Sequence, residues 1–461
     1  MLNAMQRNAQ EVLSHWYGKT RRKPLVLRGA RQVGKSTLVR LFTQHHKIPL
    51  AEINLEVHRD LDKVFASFDM NEILLNLQSV AGMRIDRSCL LFLDEIQATP
   101  HALAALRYFY EDRPEIPVLA AGSLMEFTLA DHNFSMPVGR IEYLHLGPMT
   151  FPEFLEAVDP LSLEAVEQLD PEKTIPAKTH SRLLQLQREF MLTGGLPESV
   201  EAFRETGSFE EVVAVQNSIT QTYMDDFSKY AKHKDLANLQ SVFRSIPRLI
   251  GRKLKYTQVL PGVRSSYTRG VLELLAKARI VQRVIKSDCS GVPLAAGADL
   301  AFAKLLFLDV GLVSRILGTD WLEIQKIEES ELVNKGSLAE QVIGQHLHMD
   351  AQTSPELYYW ARESRSANAE LDFVVSQGSL VLPVEVKAGK AGTLKSLHFF
   401  MYQKRLAHAV RFSLQPPSTQ IVETSVRVGE GLAPVRYALH SLPLYAVGRL
   451  PWLMDSIRQG S

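Results

Sequence analysis

Eight residues near the N-terminus, Gly29-Ala30-Arg31-Gln32-Val33-Gly34-Lys35-Ser36, have a spacing suited to holding phosphate. Glycine lets the backbone curl so that successive N–H groups face an anion. A helix opening at Lys35 would add the positive end of its dipole. The apolar run Leu25–Leu27 just before the loop reads as a strand, so strand, loop and helix follow in the order a nucleotide triphosphate requires. Gly29, Ala30, Arg31, Gln32, Val33, Gly34, Lys35, Ser36 and Thr37 are therefore the expected cradle for ATP. Lys35 is expected to reach the β and γ phosphates, and Ser36 to bind magnesium. A chance glycine-rich turn is the alternative, and the flanking strand and helix argue against it.

Hydrolysis needs carboxylates at the same edge. Leu90-Leu91-Phe92-Leu93 is a run suited to a buried strand, and it delivers Asp94 and Glu95 at its C-terminal end, where ligands bind in open α/β sheets. Asp94 is expected to hold magnesium, directly or through water. Glu95 is expected to orient or deprotonate the attacking water. A simple cap of the following helix is the competing reading. A third strand, Val118–Ala121, ends in Gly122-Ser123, where Ser123 is a candidate to sense the γ-phosphate or position water; Gly-Ser is also a common turn. Arg140 is a candidate to stabilise transferred phosphoryl charge, in a neighbouring subunit, or else a surface arginine paired with a nearby acid. The sequence leaves those two readings equal.

A second chemical constellation lies near the C-terminus. Ala369–Val375 alternates like a strand, Leu382–Lys387 follows, and Gly378-Ser379 between them suits a two-residue hairpin turn. That turn pairs Gln377 with Leu380 and sets Asp372 opposite Glu385, with Glu385 and Lys387 on one face. Two facing carboxylates repel by roughly 0.2–1 kcal/mol, and a divalent cation between them would reverse the sign. Magnesium or manganese suits such an oxygen-rich site. The pattern resembles the PD-(D/E)xK nuclease core. That resemblance implies Asp372 and Glu385 as metal ligands, Glu340 on the preceding helix Gly336–His348 as a further acid, and Lys387 as the group that activates water and stabilises charge at a scissile phosphate. A solvated hairpin with ordinary strand charges, or a degenerate nuclease fold kept for binding, remains the alternative. His346 and His348, two apart on a helix, face different ways and make a poor metal pair. Trp360 reads as strand core.

The elements that must position these residues change character along the chain. Up to Gly147-Pro148, apolar strands alternate with helices, which predicts a parallel sheet covered on both faces. Residues 150–230 are helical in pattern, broken by Thr193-Gly194-Gly195-Leu196-Pro197. Leu254–Val284 reads as helix, turn, helix, strand. Val271, Leu274, Leu275 and Ala278 fall at helical spacing on a helix from about Tyr267 to Ala278, and Arg264, Arg269, Lys277 and Arg279 lie on or near it. With Ile280–Ile285 and Ala301–Phe307 as wing strands, this is a candidate winged helix able to grip DNA phosphates, or one used only for packing.

Composition sets outer bounds. The chain has 461 residues, enough for two to four domains. It is 46% hydrophobic and 22% charged, with 52 Lys plus Arg against 51 Asp plus Glu, so total charge favours no class of partner. Its two cysteines, Cys89 and Cys289, exclude a disulfide framework or a cysteine zinc site and fit a reducing, cytoplasmic compartment. No apolar run follows the N-terminus and none approaches about 18 residues, so neither a signal peptide nor a membrane span is expected.

Taken together, the phosphate loop, Leu91-Phe92-Leu93-Asp94-Glu95-Ile96-Gln97, the Ala121-Gly122-Ser123 strand end and Gly139-Arg140 before Gly147-Pro148-Met149-Thr150-Phe151 resemble AAA+ ATPases. More narrowly, Gly194–Pro197, Lys304–Leu312 and Val384-Glu385-Val386-Lys387 are similar to a prokaryotic subfamily with a Gly-Gly-Leu-Pro turn in its lid and a C-terminal domain of unknown function. The resemblance implies an α/β architecture: a P-loop AAA+ core over residues 1–148, a helical lid over 149–230, a winged helix over 231–320 and a PD-(D/E)xK nuclease-like α/β domain over 321–461. It implies a nucleotide-driven ATPase of a kind linked to nucleic-acid transactions without fixing the substrate, so DNA or RNA is the expected partner, and a homo-oligomer is a candidate assembly because AAA+ proteins often act as rings. An ATP-controlled regulatory switch for a protein partner, with an inert nuclease-like domain, is the second reading. A small-molecule kinase is the third and weakest, since the Asp-Glu pair favours hydrolysis.

Overall fold

Strands β1 (Leu25–Arg28), β2 (Leu50–Asn54), β3 (Leu90–Asp94), β4 (Val118–Gly122) and β5 (Glu142–His145) assemble into one sheet in the order β2-β3-β4-β1-β5. Every pairing is parallel. The computed structural model describes residues 5–122, 139–229, 233–319, 336–350, 356–362, 368–387 and 394–460. It divides into two units, one drawn from residues up to Met149 with Glu273–Ile280, the other from Thr150–Leu272 and residues from Val281 onward. In the first, all five residues of β3 and all five of β4 are buried. Helices Lys35–His46, Met70–Ala81 and Pro100–Asp112 connect these strands. Ile53, Leu91, Leu93, Leu103, Leu106 and Phe109 belong to one core cluster. The burial of each such side chain contributes about 1.5–3 kcal/mol, which explains the unbroken apolar runs that a two-sided sheet demands.

The second unit opens on helices. Thr150 caps Phe151–Val158 through a reciprocal box with Glu153, which satisfies backbone donors that the helix start leaves open. Ala177–Thr193, Pro197–Thr206 and Phe209–Asp226 follow. The break between the first two is set by Asp309. Its carboxylate accepts from the backbone N–H of Gly195 (2.7 Å) and of Leu312 (3.1 Å), so it ties the Gly-Gly-Leu-Pro turn to the helix Val310–Ile316. Gly194 has φ 73°, and a Cβ there would lie 2.1 Å from Asp309 Oδ1. Two separated phrases of the sequence are thus one junction.

Helices His233–Ser245, Tyr256–Val259 and Ser265–Lys277 precede β6 (Val281–Ser287) and β7 (Ala298–Phe307), which pair antiparallel. The expected order of helices and hairpin is present. The hairpin does not end there: β6 also pairs in parallel with β8 (Leu357–Arg362). With β9 (Ala369–Gln377), β10 (Leu380–Val386), β11 (His408–Ser413), β12 (Ser418–Val428) and β13 (Gly431–Pro443) it forms a mixed eight-stranded sheet, ordered β12-β13-β11-β10-β9-β8-β6-β7. Strands β6 and β7, from the span 231–320, thus share one sheet with the strands that follow in the chain. Among the described residues no helix is long and apolar enough to cross a membrane.

Candidate nucleotide site and a lysine-centred carboxylate cluster

The phosphate loop is built by close approaches. At Gly29 an added Cβ would lie 2.1 Å from the Leu146 carbonyl oxygen, so a side chain there would force the strand ends apart. Gly34 takes φ 87° immediately before the helix Lys35–His46, a left-handed turn that glycine adopts without steric cost. Lys35 is 8% exposed, and its ammonium donates to the carbonyl oxygens of Gly29 (3.1 Å) and Ala30 (2.7 Å). Burial lowers its pKa to about 8, with Glu95 and Asp94 opposing the drop and Arg31 adding to it. Val33 is buried and Thr37 is exposed. Arg7, which the sequence did not single out, locks the loop from outside. Its guanidinium donates to the Val33 carbonyl (2.9 Å) and the Gly147 carbonyl (2.7 Å). Arg7 lies just before the helix Ala9–Tyr17, and a lone arginine there carries no sequence signal of that role.

The strand β3 brings the acids to this loop. The Ser36 hydroxyl donates to Asp94 Oδ2 at 2.7 Å. A hydroxyl and a carboxylate oxygen side by side next to a phosphate cradle are the donor set a magnesium ion uses with nucleotide, so these residues fit that ion. Glu95 has φ 52°, unusual for a residue with a side chain, and its N–H donates to Asp94 Oδ1 at 3.0 Å. Such backbone strain is concentrated at functional sites. The Gln97 side-chain amide donates to Glu95 Oε2 and so orients its carboxylate. Ser123 lies outside the described residues. Arg140 donates to Glu111 Oε1 at 2.8 Å, with its side chain 43% exposed, which is the acid pairing weighed from the sequence.

The hairpin of β9 and β10 has the expected register: Gln377 pairs with Leu380 and Gly378-Ser379 make the turn. The ladder extends to Phe373 and Val384, and then the side chain of Asp372 takes over, accepting the Val386 N–H at 2.8 Å. Glu340, Asp372 and Glu385 do face one region, but an ammonium is already among them. Lys304 of β7, 1% exposed, lies 2.9 Å from Glu340 Oε1, 2.7 Å from Glu370 Oε1 and 3.4 Å from Asp372 Oδ1. Lys387 meets Glu385 at 2.5 Å, and Lys253 meets Glu370 at 3.5 Å. Burial opposes the charge on Lys304, but Glu340, Asp372 and Glu370 outweigh it and hold the group above the ordinary lysine range. Burial raises the Glu340 pKa to about 7 against the pull of Lys304; burial and then Asp372 raise Glu385 to about 7. Among the described residues no three His, Cys, Asp or Glu side chains stand as a metal-holding group. The donor set therefore does not fit an added divalent cation while Lys304 occupies it. His346 and His348 are buried, and His346 Nε2 accepts the Phe151 N–H at 2.6 Å, a packing role.

Comparison with known proteins bears on each stretch. Residues 21–155 match the AAA domain family, and they contain all of β1–β5. Residues 184–323 match a domain of unknown function, DUF8612, and residues 335–427 another, DUF4143. No curated protein matches the chain. Among solved structures, the Walker-type ATPase PABY2304 of Pyrococcus abyssi is 16% identical, covering 68% of this chain and 96% of that one with a TM-score of 0.42. The Aeropyrum pernix ORC1 protein in complex with DNA is 16% identical, covering 70% and 93% with a TM-score of 0.27. The Thermotoga maritima RuvB Holliday junction branch migration motor is 16% identical, covering 60% and 89% with a TM-score of 0.28. These structural likenesses are too distant to carry an argument. The family match and the sheet agree on an α/β, P-loop AAA-type ATPase domain in the first unit, with a further α/β sheet toward the C-terminus.

Proposed function

We propose that this protein binds and hydrolyses ATP at the Lys35–Glu95 site and couples that cycle to nucleic acid. The observation that carries the ATPase reading is the hydrogen bond between Ser36 and Asp94, which joins the phosphate loop to the acidic strand end. The backbone of Gly29–Thr37 would cradle the phosphates, and Lys35 would exchange its two carbonyl contacts for β and γ phosphate oxygens. Ser36 and Asp94 would hold magnesium, which supplies charge neutralisation on the triphosphate when bound. Glu95, held by its strained backbone and by Gln97, would accept the proton of the attacking water. Ser123 is proposed to face the γ-phosphate. Arg140 would act on a neighbouring copy's phosphate after leaving Glu111, which requires a homo-oligomer.

Nucleic acid is the proposed target because Arg264, Arg269 and Lys277 are exposed on or beside one helix that precedes the β6–β7 hairpin. Such a helix can enter a groove while its cations meet phosphates. For Lys387, action at a scissile phosphate would first require release from Glu385. The ammonium of Lys304 among the acids instead favours a C-terminal sheet that does not cut, which is the inert nuclease-like domain of the second reading. ATP turnover measured alone and with single-stranded DNA, duplex DNA or RNA tests the coupling. Stimulation that fades with salt, and that is lost in Arg269→Ala/Lys277→Ala, is expected. Turnover indifferent to every nucleic acid would leave the ATPase as a switch for a protein partner.

A further inference from the structure

The carboxylate cluster of the second unit gathers the buried Lys304, Glu340 and Glu385 with Glu370 and Asp372, and the ATPase reading does not use it. Its central cation comes from an unexpected element. Lys304 sits on β7, the strand read from sequence as a wing, while Glu340 belongs to the helix Gly336–Asp350 and Glu370 and Asp372 to β9. An ammonium has three N–H donors and no acceptor. Here three carboxylates surround it at 2.9, 2.7 and 3.4 Å, so its donors are all used. Tyr359 adds an aromatic face with its ring centre 5.4 Å from the ammonium. The backbone is shaped to this arrangement as well: at Gly251, φ 77°, an added Cβ would come within 2.7 Å of Glu340 Oε2.

We propose that Lys304 is a built-in cation standing among the acids that the sequence offers as divalent-metal ligands, so the cluster is metal-independent and becomes a divalent-cation site only when that ammonium is removed. Magnesium or manganese takes about six oxygens at close range, and with the ammonium gone Glu340, Glu370, Asp372 and Glu385, which do not stand as a metal-holding group around Lys304, would close on the ion from three elements. With Lys253, Lys304 and Lys387 already paired to those acids, the charges nearly balance, and an added dication would face a fixed ammonium within the same shell. The cluster then joins β7, the helix Gly336–Asp350 and β9 without any exchangeable ion.

The experiment uses the full chain, free of nucleotide, with Asp94→Asn throughout so that the ATP site contributes no metal. Mn2+ binding is followed by electron paramagnetic resonance. The Lys304 chain is expected to bind no Mn2+ that Asp372→Asn removes. Lys304→Ala is expected to gain a single equivalent, lost again in Lys304→Ala/Asp372→Asn. Mn2+ held by the Lys304 chain and released by Asp372→Asn would overturn the proposal. So would a folded Lys304→Ala chain that binds none. If Lys304→Ala does not fold, the comparison of the Lys304 chain with Asp372→Asn decides by itself.

Discussion

Two lysines, each buried among acids or carbonyls, have opposite electrostatic settings. Lys35 faces backbone carbonyl oxygens, and burial holds its pKa near 8. Phosphate favours the ammonium, so binding ATP takes up a proton whenever the free group has lost it. ATP affinity should therefore be steady below pH 8 and fall above it, by about tenfold between pH 7 and pH 9 for a free pKa near 8. Titration of Kd against pH checks this; Lys35→Arg should flatten the profile while keeping measurable binding. Lys304 is in the reverse situation, held charged by three carboxylates. Removing only the cation leaves buried acids unpaired, so Lys304→Met should cost about 3–5 kcal/mol in chemical denaturation. Replacing its buried partner Glu340 as well, Lys304→Met/Glu340→Leu, should recover part of that loss, because one fewer buried acid is then left without the ammonium. A Lys304→Met chain as stable as the original would show that the ammonium is not the cluster's keystone. At this scale the loop around Lys35 is legible because its contacts reach no more than six residues along the chain, and Asp94 because it ends an apolar strand. Arg7 and Lys304 were not, since each acts on residues far away in sequence, Val33 and Gly147 for the first, Glu340 and Asp372 for the second.

At the scale of elements, periodicity fared well wherever burial is two-sided. The strands β1, β3 and β4 lie within a residue of the apolar runs that announced them, because a strand buried on both faces must be apolar throughout. The β9–β10 turn was legible from Gly378-Ser379, since glycine first fixes the turn and the turn fixes the register. The fate of β6 and β7 was not. A hairpin pattern describes only its own two strands, and the parallel pairing of Val284–Lys286 with Leu357–Tyr359 depends on a partner some seventy residues on. The Gly194–Asp309 junction belongs here too. Gly194→Ala would place a methyl against Asp309 and a side chain at φ 73°, so a loss of roughly 2–4 kcal/mol is expected from the two penalties together. Asp309→Ala would instead strip the acceptor from two buried N–H groups, at roughly 1–3 kcal/mol each. Chemical denaturation of both variants checks this; stability unchanged in Gly194→Ala would mean the turn relaxes freely.

For the molecule as a whole, the nucleotide chemistry lies in one unit and the lysine-centred cluster in the other. ATP at about 100 times its Kd should stabilise the unit that binds it by about 2.7 kcal/mol through mass action, seen as protection of fragments from residues 21–155 in limited proteolysis. Lys304→Met should leave that protection in place. The account rests most heavily on Glu95 as the base of an ATPase, and the direct measurement is ATP turnover and ATP binding side by side in wild type and Glu95→Gln. The expected result is ATP binding retained with kcat lowered about 10²–10⁴-fold, the range for loss of a general base. Hydrolysis at the wild-type rate in Glu95→Gln would contradict the account.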